Sequence, residues 1–180
     1  MRKIVFIIAL PLIALQGIAQ SRNCLRVMPM DEMTRNSVLI GRVKVQKADK
    51  ANYRGSFSQI VILRPVDVIE GDFTLKQINV LARSNVRCAE DNYIEGQEMI
   101  VFLEPEDSLF HTVNFQYGQF PVVNEIVKGW RDANNKPVDK PYEEVRQENI
   151  AYVNAVRNPK PEPNPKPETP QPAPVKPPLD

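Results

Sequence analysis

Histidine is nearly absent from this chain: His111 is the only one among 180 residues. Nucleophilic catalysis of the Ser-His-Asp or Cys-His kind needs an imidazole beside the nucleophile, so any such site would have to be built on that residue. His111 sits mid-strand among apolar neighbours, where a structural role is expected. Cysteine is just as scarce. Cys24 and Cys88 with a single histidine cannot fill a tetrahedral zinc shell without distant carboxylates, so no metal and no other cofactor is expected. The 7 glycines form no phosphate-cradling loop. Glu104, Glu106 and Asp107 lack the regular oxygen spacing of a calcium loop and read as a solvated turn. No catalytic residue emerges, and the chain reads as a non-enzyme.

Charge of one sign is lacking too. The formal net charge is +1, and a leader carrying Arg2 and Lys3 would take two of the 23 basic residues away against 22 acidic ones. A chain so near neutrality has no bulk electrostatic claim on nucleic acid or anionic membrane. Long apolar runs are missing as well. The one candidate, residues 4–15, is shorter than the roughly 20 residues of an ordinary spanning helix. With Arg2-Lys3 before it and Gly17-Ile18-Ala19 after it, residues 1–19 read as a signal peptide cleaved after Ala19. That implies a periplasmic or secreted protein with no membrane span after cleavage. Ser21-Arg22-Asn23 before Cys24 lacks the small apolar residues of a lipidation site. In an oxidising compartment, Cys24 and Cys88 are expected to form one disulfide.

What is present is β-rich. Strands are expected over 37–45, 57–69, 77–82, 97–103 and 109–115, with a last hairpin turning at Asn124-Glu125 into 126–130. Gly41, inside the first strand, signals a bulge, a bend or a close backbone approach, and Pro65 marks an edge or bulge in the second. The fourth strand is almost continuously apolar and is expected to be buried on both faces. Residues 46–55 are polar and read as an exposed loop. Met28, Met30 and Met33 belong to a short helical turn as core filler. These elements make residues 20–131 a mainly β domain, a small barrel of five to six strands. Residues 132–158 read as a loop and a helix starting at Pro141. Its stripe of Tyr142, Val145, Tyr152, Val153 and Val156 has Asn149 in the middle and is expected to pack weakly on the barrel. Residues 159–180 hold ten prolines in 22 positions, a composition for an extended, disordered spacer.

Several pieces, in order, carry a family likeness: Ser-Val-Leu-Ile-Gly-Arg-Val (37–43), Val66-Asp67-Val68-Ile69-Glu70-Gly71-Asp72, Cys88 followed by Glu95-Gly96-Gln97-Glu98 and a buried strand, and Gly118-Gln119-Phe120-Pro121-Val122. The chain resembles the netrin-like, or tissue-inhibitor-of-metalloproteinase-like, OB-fold domains, including bacterial relatives in exported proteins. The resemblance implies an interaction module of the cell envelope or extracellular space, binding a protein or glycan, with Cys24, Leu25 and Arg26 as the candidate contact ridge. The alternative it implies is a metalloprotease inhibitor acting through that ridge. In the inhibitors the mature N-terminus is itself a cysteine, whose amine chelates the protease zinc. Here Gln20-Ser21-Arg22-Asn23 precedes Cys24, so inhibition of that kind requires trimming to Cys24.

Overall fold

A computed structural model describes residues 25–83 and 90–159. The leader, both cysteines and the proline-rich tail lie outside them. The element order is α1 (Met30–Asn36), β1 (Leu39–Tyr53), β2 (Phe57–Glu70), β3 (Ile78–Ala82), β4 (Glu98–Glu106), β5 (Leu109–Thr112), a 3-10 turn (Phe115–Gly118), β6 (Gln119–Val123), β7 (Ile126–Arg131), β8 (Pro137–Pro141) and α2 (Tyr142–Arg157).

The fold turns on β4. Successive side chains of a strand face opposite ways, and here both sides are covered. Met99, Val101 and Leu103 join one apolar cluster with Val43, Val61 and Val80. Ile100 and Phe102 join another with Met33, Phe120, Trp130 and Val145. All five β4 side chains are buried, which the apolar run anticipated. The first cluster is enclosed by a ring of pairings, β1-β2-β3-β5-β4, with β1 returning to β4. Only β3–β5 is parallel. The second cluster fills the space between the outer face of β4-β6-β7 and the two helices.

Gly41 lets β1 serve both neighbours. It pairs with Val68 of β2 and Val101 of β4, and a Cβ there would lie 2.7 Å from the Asp67 carbonyl oxygen. The expected close approach is this one. At Pro65 the register slips, so the expected bulge is present.

Four expectations need correction. The sheet has eight strands among the described residues, not five to six. Residues 46–53, read as loop, continue β1 and pair with β2. Their side chains are exposed or half-buried, with Ala48 alone packed against the ring cluster, which leaves no apolar alternation to detect. Residues 137–141, also read as loop, form β8 along β7, where prolines at a sheet edge cost no ladder hydrogen bond. Nor is α2 weakly packed. Tyr142 and Val145 are buried, Asn149 is inaccessible with its amide donating to the Val145 carbonyl (3.0 Å), and polar ties surround them. Tyr142 Oη and Arg146 Nε both donate to Asp67 Oδ2 at 2.7 Å. Arg157 reaches Glu70 Oε1 (2.6 Å) and the Thr34 and Ser37 carbonyls at the end of α1, where a cation complements the exposed carbonyls.

Candidate functional site

The 3-10 turn between β5 and β6 is where separate parts of the chain converge. Asn114 and Phe115 enter it with φ of 56° and 53°. A bulky residue such as Phe115 rarely adopts that conformation, and strain of this kind concentrates at functional sites. Gly118 closes the turn against the Val113 carbonyl. Arg83 stacks over Phe57 and over Phe115, with its guanidinium 4.8 and 4.9 Å from the two ring centroids. Asn114 Nδ2 donates to the Arg26 carbonyl (3.3 Å), and the Glu90 N–H donates to Gln116 Oε1 (3.0 Å). Of the sequence-read ridge, Leu25 is half-buried, while Arg26 is exposed and pairs with Glu32.

Cys24 and Cys88, the pair expected to form a disulfide, lie outside the described residues. Peptide mapping without reduction is expected to recover Cys24 joined to Cys88. The loop of about 65 residues so closed is worth ~3–4 kcal/mol on the chain-entropy account. Two thiols open to alkylation in the native protein would contradict it.

Beneath the turn runs a buried polar chain. Asp91 accepts from the Arg83 N–H (2.8 Å) and from Gln119 Nε2 (3.0 Å), and Gln119 Oε1 accepts from the Asn92 N–H (2.8 Å). Tyr93 Oη and Thr112 Oγ1 share a 2.6 Å hydrogen bond beside them. Burial pushes the Asp91 carboxyl up to about 6, against the opposing pull of the Arg83 N–H, Thr112 and the charges of His111 and Arg83. The folded chain therefore holds a proton that the unfolded chain, with an ordinary carboxyl near 3.8, releases. Stability from this group is present below about pH 4 and is lost as pH rises through about 6. The expected change is on the order of 2 kcal/mol across that window. Urea unfolding at a series of pH values reads it. Asp91→Asn is expected to flatten the slope there whatever it does to the midpoint, and an unchanged slope would exclude the mechanism.

Beside the turn opens a groove of about 560 Å³. Gln119 and Pro121 of β6 and Lys128 and Arg131 of β7 line it from the face opposite the helices, and Met99 of β4 with Gln97, the residue just before that strand, forms its floor. Ile94, 64% exposed, stands at the rim. Gln97 Oε1 and Arg131 Nε are shielded from solvent without a hydrogen-bond partner, which is uncommon in a finished interior. Arg131 lies over the Tyr117 ring at 5.7 Å from its centroid, and Lys128 pairs with Asp139 at 2.7 Å. None of these residues stood out in the sequence, because the groove gathers single positions from separate strands.

His111 lies elsewhere, on the ring. Its Nε2 is 3.4 Å from Glu104 and 3.7 Å from Glu106, its Nδ1 faces the Thr112 carbonyl, and its ring packs on Phe57. Asp107, at the adjoining turn, is held by Tyr53 Oη (2.7 Å) and Arg54 (2.9 Å). The histidine and the acidic turn, read separately in the sequence, are thus one surface cluster. Among the described residues no group of three or more His, Cys, Asp or Glu side chains is arranged to hold a metal ion. No family model matches the chain, and no curated protein compared with it matches either.

Proposed function

We propose that this chain is a non-catalytic interaction module of the cell envelope, exported to the periplasm or beyond, whose OB-like, netrin-like barrel binds a protein or glycan while the proline-rich tail serves as spacer. The β1-β2-β3-β5-β4 ring, closed by β1–β4 and with one parallel pair, is the connectivity that supports the OB-like part of this reading. The observation that carries the functional part is the strained turn at Asn114-Phe115, set between the Leu25-Arg26 ridge and a partly apolar groove. Strain held at a half-buried junction of segments supports reading it as a working surface.

A cross-linking pull-down from native envelope extract tests it, with the full mature chain beside one stopped at Asn158. A partner retained by both assigns recognition to the folded part. A partner lost with the tail makes the proline segment the recognition element and overturns the assignment. The inhibitor reading is favoured by one contact, the Asn114 bond that fixes the Arg26 carbonyl at the same turn. Sequencing the mature N-terminus decides it: a chain that begins at Gln20 cannot present the amine of Cys24.

A further inference from the structure

We propose that the groove beside the 3-10 turn binds an extended, acidic peptide segment of a partner protein, with Arg131 receiving a carboxylate and Ile94 covering an aliphatic side chain. The proposal rests on the reading of the chain as an interaction module and names the chemistry of the partner.

Charge selects the acidic character. The groove is lined by two cations and by no carboxylate. Lys128 is already engaged by Asp139, whereas Arg131 has no ion pair among the described residues. Its planar guanidinium, braced against Tyr117, is pre-set to receive a carboxylate through two parallel hydrogen bonds. The remaining lining selects a peptide over a sugar. Asn92 and Gln97 bring amide donors and acceptors to the wall and floor, a match for the alternating N–H and C=O of an extended backbone. The exposed rim is aliphatic, with Ile94, Pro121 and Pro137, and suits Val, Leu or Ile side chains. Of the two aromatic residues that line it, Phe120 is buried in the core and the Tyr117 ring is covered by Arg131, so neither offers a platform on which a sugar ring could stack. About 560 Å³ accommodates a few residues and not a folded domain.

A library of random linear dodecapeptides displayed on phage, selected against the full chain, supplies the probe. Enriched peptides are expected to carry Asp or Glu beside aliphatic residues. A synthetic peptide of the enriched sequence, followed by fluorescence anisotropy, is expected to lose at least ~10-fold in affinity against Arg131→Gln and several-fold against Ile94→Ser. Raised salt should weaken it further. Ile94 is exposed and Arg131 is half-buried, and an unchanged melting temperature shows that binding and not folding is lost. Enrichment of peptides without acidic residues, no enrichment, or equal binding to Arg131→Gln overturns the proposal. So does a uronate-bearing oligosaccharide that binds with the same Arg131 dependence. Affinity raised tenfold by neutralising Glu162, Glu168 and Asp180 in the full chain would place its own tail in the groove, and likewise overturns it. If envelope partners persist on the folded part of Arg131→Gln and Ile94→Ser chains, the module reading stands and the groove assignment alone fails.

Discussion

Trp130→Ala is expected to lower the free energy of unfolding by about 3–5 kcal/mol, the range for emptying a large aromatic site in a core. Trp130 is wholly inaccessible and is among the largest of the buried side chains. Its ring meets Phe120 edge-on with centroids 4.8 Å apart and lies 6.3 Å from Phe102, an arrangement that adds to simple area burial. Its indole N–H donates to Glu148 on α2 (2.8 Å), and the same carboxylate takes Lys140 from β8. One side chain thus joins the outer face of the sheet, the last helix and the edge strand. Alanine would leave a cavity that the rigid strands on one side and α2 on the other cannot collapse to fill. Urea unfolding followed by circular dichroism measures the loss, and hydrogen exchange should rise first in α2. Trp130→Phe, which keeps a ring but not the donor, is expected to cost less than half as much. A loss below about 1 kcal/mol for alanine would mean that the cluster beneath the helices is not part of the cooperative core.

The core was readable where local chemistry alone decides conformation. A short apolar run bounded by turn signals fits a strand covered on both sides, and residues 98–103 of it lie in β4. Gly41 announced a close approach because no other residue tolerates a backbone oxygen at Cβ distance, and the Asp67 carbonyl is there. Asn124 and Glu125 both take positive φ in the tight hairpin expected between β6 and β7. Pro141, expected inside the first turn, is instead the extended N-cap that ends β8, and α2 begins one residue later at Tyr142.

What stayed hidden was set by long-range pairing between polar groups. Asp67, Arg146 and Glu98 have the composition of a solvated surface, yet they fasten α2 and β1. Arg42, 13% exposed at its side chain, bonds to Glu98 at 2.6 Å and to Glu125 at 2.7 Å while lying over the Tyr142 ring. The carboxylates of Glu125 and Glu98 outweigh its burial and hold its guanidinium firmly protonated. No spacing rule links positions 42, 98, 125 and 142. Asp91 was concealed in the same way, since only the fold places Arg83 and Gln119 against it. The groove, contributed one to three residues at a time by four strands and two loops, left no trace in any window of the sequence.

Gly118→Ala is expected to be the most damaging substitution of a single methyl group. A Cβ at Gly118 would lie 2.1 Å from the Val113 carbonyl oxygen and 3.0 Å from the Thr112 methyl. The φ of Gly118 is not in the left-handed region, so the penalty comes from collision and not from conformational preference. Nothing near it is free to give way. The Val113 N–H donates to the Phe102 carbonyl (2.9 Å), the Tyr117 N–H donates to Asn114 (3.2 Å), and Asn114 and Phe115 are already in left-handed conformations. Overpacking commonly costs 1–3 kcal/mol, and contact with a pinned backbone oxygen puts this case at or above about 3 kcal/mol. Gly96→Ala is the control. Gly96 has φ of 82° and open space around it, so a Cβ there meets only the left-handed penalty, roughly 1–2 kcal/mol. Thermal melting of the two variants should therefore separate clearly, with Gly118→Ala the lower. Equal melting temperatures would show that the turn relaxes around the new methyl. A Gly118→Ala chain that melts normally yet loses binding in the adjoining groove would locate the strain in the interaction surface itself, because the turn would then have yielded at the cost of the site and not of the core.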